Sequence, residues 1–537
     1  MPKTIDCMFI GNNSIGSNVY SQQIKSSKVS NIGIFPGLSL DRNSVKYKGK
    51  IYLPSELLYM LTQGEKDYQI SYSLTNRLGL TIPYLATFLQ RKGLTFDFVN
   101  SFQKDKEELA RKLKENDIKT IAIPTTIYVH PHPIVEIISF IKKYNTSAKI
   151  IVGGPYIYNC ASVNLEDEHL QKLFNYINAD VYINSTQGEV TLSKLVYNIK
   201  HGLSIEKINN IYFKDTISYK KTEIEKEDNN IDENYVDWSL FKYRMKKLVS
   251  CRTSLSCCFR CSFCTYHVHA GKYQTMSIEC IEKELDAIND TNEVETICFI
   301  DDTFNIPQER FKNILKTMIR KKYKFKWASF FRCQYADEET LELMKESGCQ
   351  MVFLGIESGS NKILKNMNKA VTVEQYVNGI KLLNKYGIPT FAAYIIGFPG
   401  ETLETWGETL SFIEEYKPTF NSFSVWHCTS DSPIWSKRDD YKLSGLGYNW
   451  RHETMDVTEA CSLYNELYSV PQNFIVNQLA YEDVILMLNS GLNISDIQKF
   501  SNIFSEHVRK RIADSSIEIS NDEISSLKEI ISKVDFG

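Results

Sequence analysis

The chain has 537 residues, of which 43% are hydrophobic and 24% charged, which is typical of a globular protein of about three or four domains. Its net charge of −3 lacks the basic excess of most nucleic-acid-binding proteins, so we expect no nucleic-acid partner. No apolar run is long enough to span a membrane, and most of the 13 cysteines are isolated, so we predict a cytoplasmic protein with reduced thiols and no membrane contact.

The N-terminal segment, residues 1–64, begins with a strand-like stretch at residues 5–10 and a turn rich in glycine, asparagine and serine. It carries no motif that indicates chemistry. We predict a scaffold or a lid.

Residues 65–205 alternate between strand and helix patterns. The predicted strands are residues 68–74, 96–99, 119–124, 149–152 and 180–183, and the predicted helices are residues 81–92, 106–115 and 133–144. Alternating units of this length predict a doubly wound parallel sheet, in which ligands bind beyond the carboxyl ends of the strands. The loops expected there are residues 75–79, 125–129, 153–155 and 187–189.

Residues 206–245 form the predicted linker. The charged residues within 220–234 outnumber the apolar ones, so we predict a solvated connection.

Residues 246–430 return to strand–helix alternation. The six predicted strands are residues 247–252, 295–300, 326–332, 350–355, 390–396 and 421–426. Six parallel strands predict a partial (β/α) barrel, and barrel enzymes build their active sites at the carboxyl ends of the strands.

A cysteine loop follows the first of these strands, with Cys257, Cys261 and Cys264 in the spacing C-x-x-x-C-x-x-C. Three thiolates can hold three irons of a [4Fe–4S] cluster and leave the fourth iron open to a ligand. His267 and His269 lie nearby, so a zinc site is the alternative.

This spacing, with the aromatic Phe263 before the last cysteine, resembles the radical S-adenosylmethionine (SAM) superfamily. The resemblance implies that the open iron binds the amino and carboxylate groups of SAM, which the cluster cleaves to a 5′-deoxyadenosyl radical. It also implies a set of SAM-binding residues near the cluster and the strand ends. These are Phe263, Asp301, Asp302, Arg332, Glu357, Ser358 and Gly397.

A doubly wound domain before the barrel resembles the cobalamin-binding class of that superfamily. Leu74 and Asn76 stand where many cobalamin domains have the Asp and His of Asp-x-His-x-x-Gly, so we expect no histidine of that motif on cobalt. The resemblance implies a cobalamin site at the strand ends of the first domain. Its implied residues are Asn76, Gly79, Thr125, Thr126, Gly153, Gly154, Gly188 and Glu189.

Residues 431–537 are predicted to form a C-terminal cap or substrate domain. The stretch 448–455 is rich in aromatic and reactive side chains and is similar to one in phosphinate P-methyltransferases. His452 in this stretch is a candidate acid or base, with a packing histidine as the alternative.

The predicted fold is therefore α/β: a Rossmann-like, cobalamin-binding-type sheet, then a partial (β/α)6 radical SAM barrel, with small N- and C-terminal additions. The leading hypothesis is a cobalamin-dependent radical SAM methyltransferase that acts on an unactivated carbon, or on phosphinate phosphorus, of a small molecule or peptide. Flavodoxin or ferredoxin is the expected electron donor.

Two other hypotheses stay open. One is a radical SAM cyclase, epimerase or rearrangement enzyme without catalytic methylcobalamin. The other is a non-catalytic iron–sulfur or zinc protein that uses the doubly wound domain for binding.

Overall fold

A computed structural model describes residues 3–27, 33–65, 69–162 and 167–534. The strands are β1 Thr4–Asn12, β2 Val45–Tyr47, β3 Lys50–Tyr52, β4 Arg77–Leu78, β5 Phe96–Ser101, β6 Asp117–Pro124, β7 Lys149–Gly153, β8 Val181–Ile183, β9 Ile211–Asp215, β10 Ser218–Lys221, β11 Leu248–Cys251, β12 Ser254–Leu255, β13 Gln274–Thr275, β14 Thr296–Phe299, β15 Lys326–Phe330, β16 Cys349–Glu357, β17 Thr390–Ile396, β18 Phe420–Val425, β19 Arg451–His452 and β20 Met455–Asp456.

The helices pack on the sheets and close their ends. They are α1 Ser17–Ser26, α2 Phe35–Arg42, α3 Pro54–Gln63, α4 Tyr72–Asn76, α5 Thr81–Arg91, α6 Lys106–Glu115, α7 His132–Tyr144, α8 Pro155–Ser162, α9 Asp167–Ile177, α10 Glu189–Lys200, α11 Tyr266–His269, α12 Ile278–Asn289, α13 Gln308–Lys321, α14 Glu338–Glu346, α15 Asn361–Asn366, α16 Val373–Lys385, α17 Leu403–Tyr416, α18 Val457–Ser469, α19 Tyr481–Asn489, α20 Ile494–Ala513 and α21 Asn521–Ile531.

The first sheet has the strand order β10-β9-β8-β7-β6-β1-β5, and its five strands from β8 to β5 are parallel. This confirms the doubly wound sheet. The division at residue 64 is wrong, because β1 lies inside this sheet with Cys7 opposite both Phe96 and Thr120. Strand β1 is buried on both faces, and a strand in the middle of a parallel sheet requires that burial.

The predicted strand at residues 68–74 is also wrong. Tyr68 lies outside the described residues, and α4 begins at Tyr72. Strand β1, between β6 and the edge strand β5, takes the place of the predicted strand, so the alternation of strands and helices holds with β1 as its first strand. The short strand β4 that follows α4 pairs with β11 of the second sheet instead.

The second sheet has the order β18-β17-β16-β15-β14-β11-β4, and all of its pairs are parallel. All six predicted barrel strands are present, which confirms the partial barrel. The seventh strand, β4, comes from the N-terminal part of the chain and covers the edge of β11. The two halves of the molecule are therefore interlaced.

The region predicted to be a solvated linker is mostly structured. Strands β9 and β10 extend the first sheet in antiparallel fashion. Downstream, the Glu227 carboxylate accepts hydrogen bonds from the backbone N–H groups of Val190 and Thr191 at 3.0 Å each, at the start of α10. Asp232 accepts from the backbone N–H of Ser277 at 2.7 Å in the barrel. Residues 222–236, which we call the linker segment, thus hold the two halves together.

The C-terminal helices close the amino end of the barrel. At the end of α19, the Asn489 side chain bonds the side chains of Thr296 and Gln350, at the starts of β14 and β16. At the beginning of α19, the Tyr481 ring is buried among barrel phenylalanines. In the described part of the chain, no helix is both long and apolar enough to cross a membrane.

Substituting Glu227 with Ala should loosen the start of α10, because its carboxylate takes up N–H groups that the helix cannot satisfy. A loss of about 1–2 kcal/mol would lower the exchange protection of amides 190–191 roughly five- to thirtyfold in hydrogen–deuterium exchange. The exposed neighbour Glu223 is the control, and Glu223→Ala should leave that protection unchanged. Equal protection in wild type and Glu227→Ala would show that the cap does not stabilise the helix.

Candidate functional site

The cysteine loop leaves the barrel where β11 ends. The buried Asp301 carboxylate, which follows β14, accepts a hydrogen bond of 2.8 Å from the backbone N–H of Thr253 and one of 2.6 Å from the Ser254 hydroxyl. The backbone N–H of Ser254 donates to the same carboxylate. The hairpin of β12 and β13 then brackets residues 256–273. Asp301, which we predicted to bind SAM, has its carboxylate engaged in shaping this loop.

The three motif cysteines lie together on this loop. Cys261 is buried, Cys257 and Cys264 are half-buried, and Cys258 is exposed. No group of three His, Cys, Asp or Glu side chains in the described residues is arranged around a single metal ion. A cubane cluster has a different requirement, because each of its thiolates binds a different iron. The donor set therefore fits a cluster with one open iron.

Two polar groups flank the loop and suit a ligand beside it. The Ser256 hydroxyl is buried and has no hydrogen-bond partner among the described residues. The Asp302 side chain is reachable by solvent, although the surrounding protein atoms raise its pKa to about 7, with Cys257 and Asp301 adding to the rise. Asp302 is therefore exposed near the cysteines, and its role in binding SAM stays a prediction.

Arg332 lies against the cysteine loop. One guanidinium nitrogen, Nη2, lies 3.4 Å from the Cys261 Sγ, and Nη1 donates to the Lys369 carbonyl at 3.0 Å. The guanidinium carbon is 3.4 Å from the ring centroid of Phe259. We predicted that Arg332 would pair with the SAM carboxylate, but in this structure its donors point at a cysteine and the backbone.

Glu357 ends β16 in a strained conformation, with φ of +66° and a register irregularity between Gly355 and Glu357. Its carboxylate pairs with Lys369 Nζ at 2.8 Å, and both side chains are largely buried. A Cβ atom on Gly355 would lie 2.6 Å from a Glu357 carboxylate oxygen, so only glycine leaves room for this arrangement. The sequence indicated Glu357 but gave no signal for Lys369.

Two other predicted SAM-binding residues lie in packed surroundings. Ser358 is fully buried, and its hydroxyl is 3.2 Å from that of Thr409. Gly397 has φ of +85°, and a Cβ there would meet the Trp450 ring at 2.4 Å. Phe263 packs at the edge of the cluster loop, with its ring 6.3 Å from that of Phe398. Of these three, only Phe263 borders the cysteines.

His452 lies in packed surroundings, as in the alternative to an acid or base. His452 is buried in the β19–β20 hairpin and stacks on Trp450 at 5.3 Å. Its Nε2 lies 3.2 Å from the Gly397 carbonyl, and its Nδ1 lies 3.2 Å from the Thr454 hydroxyl. Both ring nitrogens are thus engaged by neighbouring protein groups.

A cavity of about 440 Å³ opens in the lower half of the barrel. Phe330, Phe353 and Phe391 lie opposite one another in register on β15, β16 and β17, and Tyr481 packs across them. Gly355 lies two residues above Phe353 on the same face of β16. The barrel interior is thus aromatic around Phe353 and charged at the carboxyl end of β16, where Glu357 and Lys369 lie.

The loops at the carboxyl edge of the first sheet give a partial fit to the predicted cobalamin site. Gly154, after β7, has φ of +114°, and a Cβ on it would lie 3.0 Å from the Thr125 hydroxyl. That hydroxyl already donates to the Gly153 carbonyl at 3.0 Å, whereas Thr126 is exposed. Thr126 is therefore exposed at this edge, and Gly154 is partly exposed.

The loop before α10 is already filled by the protein itself. The Glu189 carboxylate accepts hydrogen bonds from the Gly188 backbone N–H at 2.9 Å and from the Asn229 side chain at 2.7 Å. Glu227 occupies the next N–H groups of the helix. The N-terminus of a helix can bind a phosphate, but here the carboxylates of Glu189 and Glu227 accept the hydrogen bonds that a phosphate would accept. Gly188 and Glu189 therefore do not fit the role predicted from the cobalamin class.

Asn76 and Gly79 lie between the two sheets. Asn76 ends α4 and donates to the Tyr72 carbonyl at 2.9 Å. Gly79 follows β4, which pairs with β11, and no atom lies within 4 Å of the position of a Cβ there. Residues 75–79 do not follow a strand of the first sheet, since β1 occupies the position assumed for 68–74. They do lie at the carboxyl edge of that sheet, where the Asn12 and Asn100 side chains donate to the carbonyls of Leu74 and Arg77.

The strand ends of the two sheets nevertheless face one another. Tyr158, after β7, packs edge-on against His269 of α11, with ring centroids 5.6 Å apart. His269 Nε2 lies 2.7 Å from the carboxylate of Asp431, which follows β18. Arg252, after β11, stacks on Tyr84 of α5 at 4.8 Å. These contacts join the carboxyl edges of the two sheets, and we call the region between the edges the interdomain cleft.

Comparison with known proteins agrees with this geometry. Residues 252–413 match the radical SAM superfamily. An uncharacterised methyltransferase of Pyrococcus horikoshii is 25% identical over 392 residues, which cover 70% of this chain and 81% of that protein. The chain thus carries a radical SAM domain and is an enzyme. Such a domain holds a [4Fe–4S] cluster and SAM.

Two solved structures share the fold. The cobalamin-dependent SAM radical enzyme OxsB, with aqua-cobalamin and SAM bound, has a TM-score of 0.59 and 16% identity, and the match covers 99% of this chain and 84% of that one. The radical SAM methyltransferase TsrM of Kitasatospora setae, with cobalamin and a [4Fe–4S] cluster, has a TM-score of 0.55 and 15% identity, with 81% and 77% covered. The chain therefore has the fold of cobalamin-dependent radical SAM enzymes.

Cys257, Cys261 and Cys264 should each be needed for the cluster, whereas the exposed neighbour Cys258 should not. After anaerobic reconstitution, Cys261→Ala should lose most of its iron, sulfide and SAM cleavage, because a thiolate ligand is missing. Cys258→Ala is the matched control and should keep all three. Iron and sulfide analysis with detection of 5′-deoxyadenosine measures this. SAM cleavage by Cys261→Ala, or iron loss in Cys258→Ala alone, would contradict the assignment.

Breaking the Glu357–Lys369 pair should destabilise the barrel. Lys369→Met or Glu357→Gln leaves one buried charge unpaired, which costs about 3–5 kcal/mol. The double variant should lose clearly less than the sum of the two, as measured by anaerobic denaturation in a double-mutant cycle. The exposed pair Lys385–Glu338, at 2.6 Å, is the control and should show a coupling below about 1 kcal/mol. Equal coupling in both pairs would contradict the buried-pair account.

Proposed function

We propose that this radical SAM enzyme is a cobalamin-dependent methyltransferase that acts on a small molecule or a peptide. The observation that carries the proposal is the interdomain cleft, in which the carboxyl edges of both parallel sheets meet. Contacts between Tyr158 and His269, and between Tyr84 and Arg252, bring the two edges together. A methyl carrier on the first sheet and SAM on the second would share one reaction space there.

Each part of the cleft has residues suited to one component. The three cysteines would hold the cluster, and Asp302 with the Ser256 hydroxyl would contact SAM. Gly154 and Thr126 would border the corrinoid, whose place would be on the β6 and β7 side of the cleft. When bound, the cluster and SAM supply the radical and the corrinoid carries the methyl group, while the protein orients them.

The protein's own contribution is rigidity and exclusion of water. Asp301 fixes the start of the cysteine loop, and the Glu357–Lys369 pair is held by Gly355 below it. At neutral pH, Glu401 supports the turn after β17 as a neutral acid, since burial raises its pKa to about 8. Aromatic rings line the barrel below the site, so an apolar part of the substrate could extend downward.

The alternative within the same chemistry is a cyclase, epimerase or rearrangement enzyme. One observation favours it: the Gly188–Glu189 loop, implied by the resemblance to bind cobalamin, is filled by the protein's own carboxylates. The corrinoid test below separates the two.

The wild-type protein, reconstituted with hydroxocobalamin and freed of excess ligand, should retain corrinoid. Gly154→Leu should lose it, because its side chain would press on Thr125, whose hydroxyl lies 3.0 Å from the position of a Cβ, and would displace the loops after β6 and β7 that would border the corrinoid. Corrinoid per chain is counted from the absorption spectrum, and iron content should be the same in both proteins.

Gly93→Leu is the matched control. Gly93 also has a positive φ, of +73°, but it lies after α5 with open space where its Cβ would be. It should retain corrinoid as wild type does. If wild type binds none while cleaving SAM, the methyltransferase proposal fails and the cyclase or rearrangement alternative replaces it. If Gly154→Leu binds as well as wild type, the corrinoid does not use this loop.

A further inference from the structure

Arg332 is held rigidly against the cysteine loop from several sides. Its backbone N–H donates to the Asn305 side chain at 2.9 Å, and its carbonyl accepts from the same side chain at 3.0 Å. Asn305 is itself buried. The start of the Arg332 side chain is therefore fixed in position before its guanidinium makes any contact.

The guanidinium is then aimed at a cysteine sulfur. Its Nη2 lies 3.4 Å from Cys261 Sγ, its Nη1 is used by the Lys369 carbonyl, and the Phe259 ring covers one face at 3.4 Å. Cys261 is the most buried of the three motif cysteines. A planar, permanently charged group with one N–H pointed at a buried sulfur is a charge-assisted donor to that sulfur.

We propose that Arg332 is a positioning residue that sets the reduction potential of the cluster through Cys261, and that SAM binding is not its role. Hydrogen bonds to cysteine sulfurs and nearby charge are among the factors that set the potential of an iron–sulfur cluster. The reduced cluster carries one more negative charge than the oxidised one, so a cationic donor favours the reduced state. Arg332 therefore raises the potential and eases reduction of the cluster.

This inference rests on the assignment of Cys261 as a cluster ligand, and it is independent of methyl transfer and of cobalamin. It also explains why this residue is an arginine. A lysine would keep the charge, but it has no planar group to stack on Phe259 and only one nitrogen to reach both the Lys369 carbonyl and the Cys261 sulfur. The neighbouring Lys369 is thereby left to pair with Glu357.

The test is an electron paramagnetic resonance redox titration of the reconstituted enzyme without SAM. Arg332→Gln, which keeps a hydrogen-bonding group but removes the charge, should shift the midpoint potential to more negative values. Arg332→Lys should shift it less. Iron content must equal that of wild type in each protein, and the dissociation constant for SAM is measured on the same samples and should change less than about threefold.

Arg260→Gln is the matched control. Arg260 lies on the same loop and donates to the Cys257 carbonyl at 3.0 Å, but its side chain is exposed and it contacts no cysteine sulfur in the described structure. Its removal deletes the same charge and should leave the potential near that of wild type.

Three results would overturn the proposal. An unchanged potential in Arg332→Gln with full iron content would show that the contact between Arg332 and Cys261 does not set the potential. An equal shift in Arg260→Gln would attribute the effect to general charge. A tenfold loss of SAM affinity without any shift would return Arg332 to the SAM carboxylate. Failure of methyl transfer or of corrinoid binding in wild type would affect none of these readouts.

Discussion

The site depends on one buried carboxylate. Asp301 lies at the end of β14, yet it accepts hydrogen bonds from Thr253 and Ser254 at the end of the neighbouring strand β11. These bonds decide where the chain turns away from the barrel, and the motif cysteines follow within a few residues. Desolvation by burial works against the charge on Asp301, so the donors around it are needed to keep the loop in place. The Asp301 carboxylate thus determines the position of the loop that carries the motif cysteines.

The barrel was predictable because its signals are local. Each of its strands is a short apolar run that ends at polar residues, and the cysteine spacing lies within eight residues. For the first sheet, the sequence predicted a doubly wound parallel sheet correctly but did not identify β1 as one of its strands. Strand β1 is separated from its partners by 83 or more residues of intervening chain, and no local pattern shows which strand inserts between β5 and β6. The same limit hid Lys369, whose importance comes only from the fold that brings it to Glu357.

Side-chain roles were less predictable than side-chain positions. Glu357, Arg332 and Asp301 were correctly expected near the strand ends, but each is engaged by a neighbour that the sequence does not place beside it. His452 shows the same limit: a histidine in an aromatic stretch is compatible with catalysis or packing, and its contacts with Trp450, Gly397 and Thr454 appear only in the fold. Whether Glu189 was free for a ligand depended in turn on Asn229 and Glu227, in a segment whose composition indicated only solvation.

The excursion of the chain between β1 and β5 has a consequence for how this enzyme could be divided. Strand β1 belongs to the first sheet. The chain then crosses to the second sheet, where it forms β4, and afterwards returns to form β5 to β10 of the first sheet. A cut at any single peptide bond between β1 and β18 would leave at least one sheet without a strand. On the ribosome, β1 must wait for β5 and β6 to emerge, and β4 must wait for β11, so both sheets close late by non-local pairing. The two halves are therefore not separable modules. A transfer of either half to another enzyme would have to include the stretch between β1 and β5 as well.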